Sequence, residues 1–151
     1  MRTRRTFLGS AAVAVSGVAA GCGGAKSSFR FFTEREARVL DAILDLVIPS
    51  DDAPGAREAG VIQYIDRQLT RKFRDQQKTY RDALAALPDS PDEQMLLKTQ
   101  KPFFDLVVTH AMQGFYGNPR HGGNREFASW RMLGIPPVPV RGRDGGRNAK
   151  G

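Results

Sequence analysis

One cysteine and two histidines are all that this chain of 151 residues offers a soft or borderline metal ion. Cys22, His110 and His121 stand far apart, so no His/Cys spacing suits a zinc site. A lone cysteine has no intrachain disulfide partner, and the CxxCH attachment for a c-type haem is absent. The glycines between 117 and 123 do not follow a strand in the order G-x-G-x-x-G, so they are not a dinucleotide fingerprint, and no P-loop occurs. No stretch alternates apolar and polar residues as a half-buried strand does. There are no internal repeats. No run of about 20 predominantly apolar residues exists to span a bilayer. What is left is a helical chain with no evident means of holding a cofactor of its own.

Positive charge is plentiful, but it sits at the ends. The formal net charge is +7 and the sequence pI is near 10.1. Removing Arg2, Arg4 and Arg5 with the first 21 residues leaves +4. Of that, Arg141, Arg143, Arg147 and Lys150 against Asp144 account for +3, so the body carries only +1. A nucleic-acid binder is expected to concentrate basic residues with interleaved aromatics on one face, and this body does not. Nucleic acid is therefore not an expected partner. The Gly- and Arg-rich tail, residues 141–151, lacks apolar periodicity and reads as disordered.

The N-terminus carries an address. Residues 3–8 read T-R-R-T-F-L, and an uncharged small-residue run follows to Gly21. Arg4 and Arg5, with Phe7 and Leu8 behind them, have the layout of a twin-arginine export signal over residues 1–21. That route carries proteins already folded, often around a cofactor or beside a partner that holds one. The run Val18-Ala19-Ala20-Gly21-Cys22 allows two processing routes. Cleavage after Ala20 discards the signal. A lipobox reading instead lipidates Cys22 as the mature N-terminus, and residues 22–30 then form a flexible tether. The expected location is the periplasm or the outer face of the cytoplasmic membrane.

The body, residues 31–140, reads as all-α: a single irregular bundle of four to six helices joined by long Gly/Pro-rich loops. Thr33 and Glu36 form a capping box, and Leu40, Ile43, Leu44 and Val47 share a face until Pro49. Asp51-Asp52 reads as a turn after Pro49 rather than a catalytic carboxylate pair. A second helix is expected from Ala56 or Gly60 to Phe73. In a third, Tyr80, Ala83, Leu84 and Leu87 share a face. Ser90-Pro91 suggests a helix start, with Ser90 as cap and Glu93 three residues on. Pro102 opens a long helix through Phe115 whose apolar residues cover so much of its surface that it should be central.

The most unusual segment follows that helix. Phe115, Tyr116, Asn118, Pro119, His121, Gly122, Gly123 and Asn124 combine aromatics with residues that force specific turns, and Trp130 lies shortly beyond. With the twin-arginine start, Leu40-Asp41-Ala42-Ile43, Ile48-Pro49-Ser50-Asp51, Pro54-Gly55-Ala56-Arg57-Glu58-Ala59-Gly60-Val61 and Gly114-Phe115-Tyr116-Gly117-Asn118-Pro119, the chain resembles the gluconate 2-dehydrogenase subunit 3 family. The resemblance runs over most of residues 31–137. It implies a non-catalytic small subunit that carries the export signal for, stabilises and helps anchor a large flavin-dependent dehydrogenase subunit. FAD would then belong to that partner, and often haem c to a cytochrome c subunit that accepts the electrons.

Read singly, the candidate residues keep their alternatives. His110 lies on the apolar face of the long helix and is expected as a hydrogen-bonded core histidine. His121 suits either a turn or an interface. Asp66 falls at the edge of an apolar face, where a carboxylate needs a partner. An intrachain arginine or a backbone cap is expected there, and a cross-subunit pair is the sharper reading. Trp130 is either core or interface anchor, and Asn124 is expected to point outward from the loop. A stand-alone envelope lipoprotein binding through the same loop is the alternative function.

Overall fold

In the computed structural model, residues 28–137 are described; Arg4, Arg5, Phe7, Leu8 and Cys22 lie outside them. Six α-helices follow one another: α1 Glu34–Val47, α2 Val61–Leu69, α3 Gln77–Ala86, α4 Glu93–Thr99, α5 Lys101–Tyr116 and α6 Ala128–Met132. Single 3-10 turns occur at Arg74–Gln76, Pro119–His121 and Arg125–Phe127. No strand occurs among the described residues, so the all-α expectation holds. None of these helices is long and apolar enough to cross a membrane.

α1 starts where the capping box places it. The Thr33 side chain accepts from the Glu36 N–H, and the Glu36 carboxylate accepts from the Thr33 N–H at 2.8 Å. Leu40, Ile43 and Leu44 are fully buried, each gaining about 1.5–3 kcal/mol over exposure. α5 is the central element and touches α1, α2, α3, α4 and α6. Its buried face runs Phe103, Phe104, Val107, His110, Ala111, Gly114 and Phe115. His110 is a core histidine, as expected. Its ring stacks on Phe73 at 4.1 Å, and its Nδ1 lies 2.9 Å from the buried Tyr80 hydroxyl. Burial lowers its pKa from 6.5 to about 4, against a weaker upward pull from Asp75.

Two boundaries differ from the sequence reading. α2 starts after Gly60, the later of the two expected starts, where φ +69 sets a left-handed cap, but it ends at Leu69 and not Phe73, the Thr70 and Phe73 N–H groups both turning back to the Gln68 carbonyl. A Cβ on Gly60 would also meet the Arg125 side chain at 2.5 Å. The cap of α4 is Asp92, not Ser90: its carboxylate accepts from the Met95 N–H at 2.7 Å. Pro91 therefore precedes the cap instead of opening the helix. Asp51 behaves as a turn residue, accepting from the Ala53 N–H at 2.9 Å.

The segment ahead of α1 is clamped onto the bundle. Asp66 on α2 is buried, and its carboxylate accepts from the backbone N–H groups of Arg30, Phe31 and Phe32 at 2.9, 2.8 and 3.2 Å. Arg81 on α3 pairs with Glu36, donates to the Phe31 carbonyl, and lies 4.2 Å from the centre of the Phe31 ring. Three successive donors on one carboxylate satisfy its charge without any arginine. Of the intrachain readings for Asp66, the backbone cap is the one found. The carboxylate is spent inside the fold and is not presented to another chain.

Candidate partner-binding surface

Past Tyr116 the chain turns back along the end of α5, and a close backbone contact fixes its path. A Cβ on Gly123 would fall 2.2 Å from the Gly114 carbonyl oxygen, so only glycine lets the loop approach α5 this closely. Asn118 caps the next turn, its side-chain oxygen accepting from the Arg120 N–H at 3.1 Å. Pro119 begins that turn, and Gly122 ends it at φ +109. His121 is exposed, and its Nε2 accepts from the Arg120 side chain at 3.1 Å. Burial and the nearby Arg120, Arg67 and Lys72 hold its pKa below the usual value.

Asn124 corrects the expectation of an outward side chain. It is fully buried: its amide donates to the Gly117 carbonyl at 2.9 Å and its oxygen accepts from the Ser129 N–H at 3.0 Å. The Ser129 hydroxyl donates to the Phe115 carbonyl at 2.7 Å. Asn124 thus braces both ends of the loop. Its φ of +47 is left-handed, as are Glu126 at +51 and Phe127 at +59. Non-glycine residues pay roughly 1–2 kcal/mol each for that conformation, and such strain gathers where a surface must keep one shape. Trp130, only half-buried, lies across this brace. Its indole N–H donates to the Tyr116 carbonyl at 3.0 Å, and its ring packs 5.5 Å from Phe127.

Beside the braced loop lies an apolar groove of about 280 Å³. Its walls are Val47 at the end of α1, Ile48 and the loop through Pro54, Met112, Phe115 and Tyr116 on α5, and Met132 on α6, with Asp51 the one charged residue among them. Tyr116 and Met132 are each 44 % exposed, and the chain continues into Leu133 and Ile135, also exposed. Phe115 forms the floor, edge-on to Tyr116 at 5.0 Å. Exposed apolar surface gathered in one place, with flexible methionines in it, is the physical mark of a surface that another molecule covers. Of the residues singled out in the sequence, Phe115, Tyr116 and Trp130 shape this region. Asn118, Pro119, Gly122, Gly123 and Asn124 set the backbone beside it, and Asp66 is directed at residues 30–32 instead. The sequence reading missed Val47, Ile48, Met112 and Met132. The available signal was the pair of methionines at solvent-facing helix positions.

Among the described residues no group of three or more His, Cys, Asp or Glu side chains could hold a metal ion. Neither the curated proteins nor the solved structures contain a significant match to the chain. A family model does match. Its description is gluconate 2-dehydrogenase subunit 3, and it covers residues 34–95, from the start of α1 into α4. The groove draws the end of α1 and the loop through Pro54 from that stretch, and Met112, Phe115, Tyr116 and Met132 from beyond it. Over that stretch the chain is similar to the gluconate 2-dehydrogenase subunit 3 family, whose description is that of one subunit of a multi-subunit dehydrogenase.

Proposed function

We propose that this chain is the non-catalytic small subunit of a flavin-dependent dehydrogenase acting on a sugar or polyol of the gluconate type. It carries the export signal for the large subunit, stabilises it, and helps to hold it at the outer face of the membrane. FAD, and haem c where a cytochrome c subunit joins, reside on the partners. The observation that carries this reading is the apolar groove at Tyr116 and Met132, set on a loop whose backbone is held by Asn124. A domain of this size gains little from leaving that surface in water, and a partner subunit is the natural cover. Ahead of the domain, Arg4 and Arg5 supply the address, and Cys22 the candidate lipid attachment.

The test is cellular fractionation of the full chain with its co-expressed dehydrogenase. Arg4→Lys with Arg5→Lys should keep both chains in the cytoplasm, because the arginine pair is read as an address and not as charge alone. Cys22→Ser, followed in the same fractions, should move the exported complex from membrane to soluble periplasm. A dehydrogenase that still reaches the periplasm beside the Lys-Lys variant would remove the escort role.

A further inference from the structure

Six cations of the described residues have a carboxylate beside them: Arg35 pairs with Asp89, Arg57 with Asp41 and Asp45, Arg81 with Glu36, Lys78 with Asp82, Lys101 with Asp105, and Arg131 with Glu126. Of the cations without such a pair, three gather around one histidine. Arg67 at the end of α2, Lys72 just after it and Arg120 in the loop all act on His121, and no carboxylate is among the groups doing so. None of the three forms an ion pair among the described residues.

The cluster is also held in shape. The Arg67 guanidinium lies against Gly122 and donates to the Arg120 carbonyl at 3.2 Å. Arg120 in turn donates through Nε to His121 at 3.1 Å, and the residue is exposed, its two terminal nitrogens without a side-chain partner among the described residues. The C-terminal end of α2 favours cations on it, but that attraction acts over about the last turn of a helix. It covers Arg67 and does not account for Arg120, which comes from a loop 53 residues further along.

We propose that Arg67, Lys72 and Arg120, arranged around His121, form a docking fork for an acidic segment of the dehydrogenase subunit that this chain accompanies. The proposal rests on the reading of the chain as an accessory subunit. Guanidinium groups fixed by carbonyl and imidazole partners present paired N–H donors in set directions, which match a planar carboxylate. A lipid headgroup layer is diffuse and is served as well by mobile lysines, so two fixed arginines favour a protein carboxylate. The fork belongs to the same loop that Asn124 braces next to the apolar groove. One partner face could thus meet apolar cover and charge together, with the charges setting orientation and association rate.

The test uses the full chain and the dehydrogenase subunit that co-purifies with it. Lys72→Glu with Arg120→Glu should weaken the complex at least tenfold in low salt, and should flatten its salt dependence. Arg120→Gln, a milder change, should give a severalfold loss. The control, Arg38→Glu with Lys98→Glu, reverses two other exposed unpaired cations and should change affinity less than twofold. Melting temperatures of all variants should match wild type, since no side chain replaced here is in the core. Wild-type affinity and salt dependence in the Lys72→Glu/Arg120→Glu chain would overturn the fork while leaving the accessory-subunit reading standing. Failure of the wild-type chain to bind any dehydrogenase subunit would overturn both. Binding to vesicles of one-third phosphatidylglycerol in phosphatidylcholine, lost in the same variant whose protein complex is intact, would make the cluster a membrane contact and also overturn the proposal.

Discussion

Two buried polar side chains, Asp66 and Asn124, each tie a length of irregular chain to the bundle, and they do so differently. Asp66 is charged and collects three consecutive N–H groups from residues 30–32. Asn124 is neutral and both donates and accepts, joining Gly117 to Ser129. The choice follows from what each must satisfy. A run of bare donors calls for an acceptor-only carboxylate, whereas a loop with a free carbonyl at one end and a free N–H at the other calls for an amide. The segment under Asp66 is closed over by Phe31 and Arg81. The segment over Asn124 borders the open groove and the cationic fork. One clamp completes the fold, and the other gives a binding surface its shape.

Breaking the first clamp should have the largest effect. Asp66→Ala removes a charged acceptor from three donors and should cost roughly 3–4 kcal/mol, taking hydrogen bonds to a charged group as the guide. Asp66→Asn keeps one acceptor oxygen and should cost about half as much. Urea titration of both variants measures this. A loss below about 1 kcal/mol for Asp66→Ala would mean that Arg81 and the Phe31 ring hold the segment unaided.

A pH effect of comparable size is expected from His110, in the core between the two clamps. The folded protein keeps this ring neutral down to about pH 4, while the unfolded chain protonates it near 6.5. Its folded pKa is therefore the lower one, and protons favour the unfolded state. Stability is full above pH 6.5 and falls as pH drops through the window to 4, by on the order of 3 kcal/mol at about 1.4 kcal/mol per pH unit. His110→Gln keeps an acceptor for Tyr80 but cannot titrate. It should start less stable at pH 7 and show a flatter slope across that window in thermal melts. Parallel slopes would place the acid sensitivity elsewhere.

The second clamp comes next. Asn124→Ala loses two internal hydrogen bonds and a residue type suited to φ +47, and should cost about 2–3 kcal/mol. Trp130→Ala should cost less, about 1–2 kcal/mol, because the indole is only half-buried and makes one hydrogen bond. This order reverses what residue type alone suggests, and melts of the two variants side by side decide it.

That reversal marks where the sequence stops being informative. α1 was legible because Thr33, Glu36 and the face from Leu40 to Val47 act within a few residues of one another. The central place of α5 was legible because its apolar residues cover so much of the helix. The start of α4 was displaced by two residues because Pro91 suits a first helical turn as well as a position before the cap. Asp66 was recognisable as a carboxylate in need of partners, but the partners lie 34 to 36 residues upstream. Asn124 was recognisable as special, but its inward turn depends on where residues 117 and 129 meet. The groove draws on α1, α5 and α6, and no local pattern joins Val47, Met112 and Met132. The family-matched stretch, residues 34–95, holds the plainly signalled α1 but also both displaced boundaries, those of α2 and α4, and it supplies one wall of the groove while α5 and α6 supply the other.

The central claim is that the groove beside the Asn124 brace docks a dehydrogenase subunit, and a pull-down with a visible spectrum tests it most directly. Wild-type full chain, captured from solubilised membranes, should bring down a large subunit with flavin absorption. Met112→Ser with Met132→Ser replaces two exposed side chains, so stability should change by no more than about 0.5 kcal/mol for each. The same capture with this variant should lose most of the flavin while its melt stays near wild type. Undiminished flavin recovery with the double variant would contradict the groove as the docking site, and a wild-type chain that comes down alone and colourless would contradict the account as a whole.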